Sequence, residues 1–263
     1  MSKLISKRSF LKGFAVATAG AAAAPLVHAK PGDPLPQKWD READVVILGY
    51  GGAGASAAIT AKDAGADVVI FEKCPQGGGN TAVSSGGMMI PNNRERAIEY
   101  LRKTYDFANS EKDDELLTAF VDEAMKSKDF LLSLAPDQKV YIYGHAGFQS
   151  IPESDAIDKW RFRTPKGQKT RGGDMLFNNY RYAVETVRKI PVVYNARGLE
   201  LITRNDEVLG AWIEIDGKKE AVKAKKAVVL ATGGYEFDDK MLSNHTMGQK
   251  FHRLGHPGNT GDG

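Results

Sequence analysis

The sequence predicts an α/β fold, a parallel sheet with helices packed on it and a β-meander as one crossover. Three observations predict it. An apolar run at residues 44–48 meets a glycine cluster and then an alanine-rich stretch, and a second apolar run at 67–71 follows. Residues 199–222 read as a meander. That meander leads into one more buried run at 227–231, closed at once by Thr232-Gly233-Gly234. Short apolar runs bounded by turn residues read as buried strands, and strands alternating with helices favour a parallel sheet.

Each element can be justified in turn. Residues 44–48 (Asp-Val-Val-Ile-Leu) are a buried strand, and the glycines of 49–54 are its turn. Alanine-rich 55–64 favours a helix, with Gly65 placed where a helix C-terminal glycine belongs. Residues 67–71 form the second strand, and 76–87 a loop rich in Gly, Ser, Asn and Thr. Helices are expected near 94–108 and 113–134, the second stopped by Pro136. Residues 139–172 read as irregular, 173–189 as a helix and 192–194 as a short strand. In the meander, strands 199–203 and 208–215 are joined by Asn205-Asp206, and Asp216-Gly217 marks a hairpin.

The chain has 263 residues, 42% hydrophobic and 26% charged, enough for a substantial core. Its formal net charge of +3 is too mild to argue for nucleic acid. The single cysteine, Cys74, excludes an internal disulfide, a CxxCH haem attachment and a cysteine-cluster metal site within these residues. Residues 1–29 read as an export signal: Lys3, Lys7, Arg8 and Lys12 precede an apolar stretch from Gly13 to Leu26, and Val27-His28-Ala29 offers a cleavage site. Ser6-Lys7-Arg8-Ser9-Phe10-Leu11-Lys12 looks like the twin-arginine export motif with lysine in the first arginine position; general secretion is the alternative. The apolar stretch of about 14 residues falls short of the roughly 20 that span a bilayer. Pro-rich 30–40 reads as a linker, leaving 41–263 as the folded domain, with no membrane span expected after signal cleavage.

Gly49-Tyr50-Gly51-Gly52-Ala53-Gly54 matches G-x-G-x-x-G in its required context, with a strand before, a helix after and an acid, Glu72, ending the next strand. That is the Rossmann dinucleotide fingerprint: Gly49 for the tight turn, Gly51 for backbone approach to a pyrophosphate, Gly54 for close packing, and Glu72 for ribose hydroxyls. The fingerprint alone leaves FAD and NAD open. Three later features favour FAD: the meander ending in Ala231-Thr232-Gly233-Gly234, the Glu72-Lys73 pair, and the loop from Gly77 to Gly87, whose glycines and hydroxyls suit an electron-rich ligand.

Together GYGGAG (49–54), EK (72–73), GGGNTAVSSGG (77–87), NARGLEL (195–201), ATGGYE (231–236) and GNTGDG (258–263) make the sequence resemble the FAD-dependent fumarate reductase/succinate dehydrogenase flavoprotein superfamily. The branch it is similar to holds soluble exported reductases of the flavocytochrome type, including urocanate reductases, and borders the 3-ketosteroid dehydrogenases. The resemblance implies that Gly49, Gly51, Gly52, Ala53, Gly54, Glu72, Lys73, Gly79, Asn80, Thr81, Ser85, Gly86, Gly87, Ala196, Thr232, Gly233 and Asp262 bind the cofactor. Membrane-bound members attach FAD through a histidine where this sequence has Asn80, so noncovalent FAD is implied.

It further implies a small-molecule substrate, an unsaturated carboxylate or an enone, and a cytochrome or quinol-linked electron donor. In the family a capping domain, the catalytic groups and a last flavin-contacting segment follow the Gly-Asp-Gly. This sequence ends at Gly263, so no catalytic residue is mapped, and weak FAD binding by the isolated chain is expected. His256-Pro257 precedes Gly-Asp-Gly and does not take the family's active-site His-Pro role. A non-catalytic FAD-binding fragment or gene remnant, and more distantly an NAD-binding subunit, are the alternatives. No histidine pair has metal-ligand spacing. Cys74 reads as a packed cysteine, the lysines at 218–226 as a solvated face, and Trp160-Arg161-Phe162-Arg163 as a surface loop or partner contact, a substrate cleft being the alternative.

Overall fold

The computed structural model describes residues 35–108, 111, 113–134, 139–163, 172–249 and 251–263. The expected export signal and the first part of the linker lie outside the described residues. In chain order the elements are β1 (Arg41–Leu48), α1 (Gly52–Asp63), β2 (Val68–Phe71), a short α2 (Gly79–Val83), β3 (Met88–Pro91), α3 (Arg94–Phe107), α4 (Asp114–Leu134), β4 (Val140–His145), β5 (Ile157–Phe162), α5 (Gly172–Arg181) with a π-helical turn after it (Tyr182–Val187), β6 (Val192–Val193), β7 (Ala196–Arg204), β8 (Glu207–Ile215), β9 (Lys218–Leu230) and α6 (Asp239–His245).

The main sheet has six strands in the order β6-β2-β1-β9-β8-β7. β1 pairs in parallel with β2 on one side and β9 on the other, and β2 in parallel with β6. The meander β7-β8-β9 is antiparallel and carries the chain from the edge strand β6 back to the centre. The side chains of β1 alternate between two apolar clusters. Ile47 packs with Ala55, Ala58, Ile59, Ile70 and Phe177, whereas Val46 and Leu48 pack with Phe71, Ala211, Ile213 and Val222. Each fully buried large aliphatic side chain contributes about 1.5–3 kcal/mol, so the central strands hold the site's frame rigid.

α1 buries Gly54, Ala55, Ala58 and Ile59, one face of a helix of small residues that can lie close to the sheet. It ends as the sequence implies, with the Ala66 and Gly65 N–H groups returning to the Ala61 and Lys62 carbonyls and Gly65 at φ +84°.

The structure corrects the sequence reading in four places. The last meander strand and the run at 227–231 are one strand, β9. It is continuous because its first half pairs antiparallel with β8 and its second half in parallel with β1; Lys225 and Lys226 lie within it and pair with Glu42 (2.9 Å) and Asp44 (2.8 Å) of β1. Residues 139–172 are not wholly irregular: β4 and β5 join β3 in an antiparallel sheet of order β3-β5-β4, disguised by a register shift at Gly144. The loop at 76–87 contains the helical turn α2. The helix expected at 173–189 changes to π geometry after Arg181.

Candidate functional site

The parallel strands β1, β2 and β9 end at one edge of the sheet, and the turns that leave them meet there, the place where open α/β sheets bind ligands. At Gly49 (φ +103°) the chain turns sharply, its N–H bonded to the Phe71 carbonyl at 2.8 Å. A Cβ on Gly49 would overlap the Ala231 carbonyl, and one on Gly54 would overlap the Gly49 carbonyl. Both positions therefore require glycine for close approach. Gly51 is the N-cap of α1, with extended backbone and no side chain of its own to cap the helix, and no acid occupies the first turn. Gly51 bridges to Gly78, and Thr81 Oγ1 accepts the Gly52 N–H at 3.0 Å.

Glu72 is 8% exposed at the end of β2. Its Oε2 accepts the Tyr50 N–H at 2.7 Å and its Oε1 the Cys74 N–H at 2.8 Å. The acid is thus tied to the glycine turn itself, with lone pairs left for hydroxyl donors. The Cys74 thiol is half-buried beside it, and burial together with the Glu72 charge pushes that thiol up from its usual pKa. The Tyr50 ring points the other way, into the core, edge-on to Phe177 at 5.2 Å.

Residues 256–263 close the far wall. Asp262, its side chain 7% exposed, pairs with Lys73 and with Arg197 Nη2 (2.9 Å). Burial would raise its pKa, but hydrogen bonds and charge from Lys73 and Arg197 outweigh that and hold it below the usual carboxylate range. Lys73 also donates to Thr260 Oγ1 at 2.8 Å. Asn80 accepts the His256 N–H at 2.7 Å and donates to Glu236 at 2.7 Å, which lowers the Glu236 carboxyl. Asn259, 5% exposed, donates to the same Glu236 oxygen.

Between these walls lies a cleft of about 410 Å³. It is lined by Gly49, Gly51, Gly52 and Ala53 from the first turn; by Glu72 and Lys73; by Gly79, Asn80 and Thr81; and by Ala196, Thr232, Gly233 and Asp262. Sequence reasoning named all of these. Gly54 stands behind the cleft, holding α1 against β1. Ser85, Gly86 and Gly87 are not brought to it: Gly86 packs on Gly172 and Gly87 against the Tyr143 hydroxyl. Sequence reasoning missed Arg197, His256 and Asn259, which also line the cleft. The signals for Arg197 and Asn259 were their places inside the NARGLEL and GNTGDG segments; His256 carries only the local turn residues Gly255, Pro257 and Gly258.

The residues present fit an FAD. A glycine turn at a helix N-terminus with no acid in its first turn suits a pyrophosphate, the buried acid at the end of β2 suits ribose hydroxyls, and the cleft volume is that of a small-ligand site. Among the described residues no group of three or more His, Cys, Asp or Glu is placed to hold a metal ion.

Known proteins agree with this geometry. Residues 44–263 match the FAD binding domain family model. The chain is 31% identical over 235 residues to the fumarate reductase (cytochrome) of Shewanella frigidimarina, covering 84% of this chain and 38% of that protein. It is 29% identical over 229 residues to the NADH:fumarate oxidoreductase of Klebsiella pneumoniae, covering 84% of this chain and 24% of that one. Among solved structures it resembles the 3-ketosteroid-delta4-(5alpha)-dehydrogenase of Rhodococcus jostii RHA1, with TM-score 0.69 and 26% identity over 85% of this chain and 53% of that one. The chain therefore spans about a quarter to a half of the length of these proteins. With its glycine turn, its buried Glu72 and a family match from the first strand to Gly263, the chain belongs to the FAD-binding domain family.

Proposed function

We propose that the chain is the FAD-binding portion of an exported flavoprotein oxidoreductase that reduces an activated C=C bond or runs the reverse dehydrogenation. The observation that carries this reading is the cleft at the strand ends, where Gly51, Glu72, Thr232 and Asp262 converge. When bound, FAD supplies two-electron storage and hydride transfer. The backbone N–H groups at the start of α1 would hold the pyrophosphate, Glu72 the adenosine ribose, and Gly79, Asn80, Thr81, Ala196, Thr232 and Gly233 the remaining contacts. Ser85, Gly86 and Gly87 would meet the flavin beyond the cleft.

Attachment is noncovalent in this reading, because Asn80 offers no nucleophile and its side chain is committed to His256 and Glu236. The substrate is an unsaturated carboxylate or an enone, in line with relatives named as fumarate, acrylate and urocanate reductases and 3-oxosteroid 1-dehydrogenases. A cytochrome or quinol-linked donor supplies the electrons. Export rests on the basic and apolar pattern of residues 1–29, with the twin-arginine route favoured because a protein loaded with a cytoplasmic cofactor crosses folded. No helix among the described residues is long and apolar enough to cross a membrane.

The test is anaerobic. The natural gene product, loaded with FAD and reduced with dithionite, is mixed with fumarate, urocanate or 4-androstene-3,17-dione. Return of oxidised-flavin absorbance with one of them supports the reading. Loss of the reading follows if none of these, nor a saturated product with oxidised enzyme, exchanges electrons with the flavin.

A further inference from the structure

The small sheet carries chemistry that the cleft does not use. Tyr141 of β4 lies directly opposite Arg161 of β5, so the two share a face, with Tyr143 at the register shift of β4 and Arg163 just past the end of β5. The Arg161 guanidinium lies 4.4 Å from the centre of the Tyr143 ring, and that of Arg163 lies 5.0 Å from Tyr141. Both guanidinium groups lie within cation–π range of a phenol ring.

Arg161 is the inner of the pair. Its Nε is buried and has no hydrogen-bond partner among the described residues. Arg94, Arg96, Arg102, Arg188 and Arg197 each pair with a carboxylate, whereas Arg161 pairs with none among the described residues. A half-buried cation without a counter-ion is unfavourable until an anion meets it.

Its location says which anion. Arg161 Nε stands 3.2 Å from the point where a Cβ on Gly172 would lie, and Gly172 packs on the Ser85 carbonyl. The Tyr143 hydroxyl fills the place that a Cβ on Gly87 would take. The Arg161–Tyr143 pair therefore borders Ser85-Gly86-Gly87, the end of the glycine loop proposed to meet the flavin.

We propose that Arg161, placed against the Tyr143 ring, is the anchor for a substrate carboxylate beside the flavin loop. The proposal rests on the reading of this loop given above. It narrows the substrate class to an unsaturated carboxylate rather than a neutral enone. A planar guanidinium offers a carboxylate two parallel N–H donors, and the contact with the ring holds it in place beforehand.

The probes are crotonate and its neutral isostere crotonamide. In the FAD-loaded full chain, crotonate should perturb the flavin spectrum with an affinity at least about tenfold above that of crotonamide, the worth of a charge-assisted hydrogen bond. Arg161→Gln should make the two probes equal, and Arg161→Lys should leave an intermediate preference. A second arm needs no flavin: phenylglyoxal labelling of Arg161, located by peptide mass spectrometry, should be slowed by crotonate and not by crotonamide. Equal affinities in the native chain, an unchanged preference in Arg161→Gln, or labelling indifferent to crotonate would each overturn the proposal. A chain that takes up no FAD would sink the functional reading instead, while the labelling arm would still decide the role of Arg161.

Discussion

The carboxylate of Glu72 accepts the backbone N–H of Tyr50, 22 positions earlier, at 2.7 Å, and so joins the end of the second strand to the middle of the glycine turn. The acid proposed to hold the ribose thus also holds the turn in the shape that a pyrophosphate would meet. Glu72→Ala removes the acceptor for both the Tyr50 and the Cys74 N–H in a buried setting. It should destabilise the apoprotein by about 1–3 kcal/mol, seen in the urea unfolding midpoint, besides weakening FAD binding. Unchanged apoprotein stability would show that the acid serves the ligand alone.

Gly54 and Gly65 both belong to the α1 region but differ in what surrounds them. A Cβ on Gly54 overlaps the Gly49 carbonyl, while nothing lies within 4 Å of one on Gly65. Gly54→Ala should therefore cost about 3 kcal/mol or more, from overpacking against backbone. Gly65→Ala should cost only about 1–2 kcal/mol, the strain of a left-handed alanine. Thermal unfolding of the two variants ranks them.

Asp262 ties residues 256–263 to Lys73 and Arg197, and its carboxyl titrates below its ordinary value. A carboxylate whose folded pKa is depressed adds stability that is complete above the unfolded pKa and lost as pH falls through the folded one. The wall formed by 256–263 should therefore hold at neutral pH and loosen only in acid, below the ordinary Asp range. Hydrogen exchange of the Gly258 and Gly261 amides, which bond to His256 Nδ1 and the Gly234 carbonyl, reads this directly. Asp262→Asn should show fast exchange of both amides already at neutral pH.

Cys74 lines the cleft with a thiol whose pKa is raised by burial and by Glu72. It should react slowly with a disulfide reagent at neutral pH, because the thiolate is the reactive form. Bound FAD should slow it further. A rate unaffected by FAD would place the cofactor away from this wall.

The sequence made the frame of the site legible because its signals are local. β1, α1 and β2 follow from the apolar runs and the glycines, and Gly49, Gly51, Glu72 and Thr232 were named before any contact was seen. What was not legible depends on long-range pairing. The union of the meander with the last parallel strand depends on the pairing of β9 with β1, about 180 residues away, which no local window contains. The small sheet was hidden because β4 and β5 are short, polar on one face and shifted at Gly144. Arg197 escaped notice because a lone arginine in a strand means little until Asp262 is beside it.

The central claim is that the cleft at the strand ends holds FAD, noncovalently. Titration of the purified chain with FAD and with NAD, followed at equilibrium by flavin fluorescence, tests it most directly. The expected result is weak but saturable uptake of one FAD that acid or heat releases intact, lost in Glu72→Ala and untouched by excess NAD. Uptake of NAD without FAD, or flavin that stays on the polypeptide after denaturation, would contradict it.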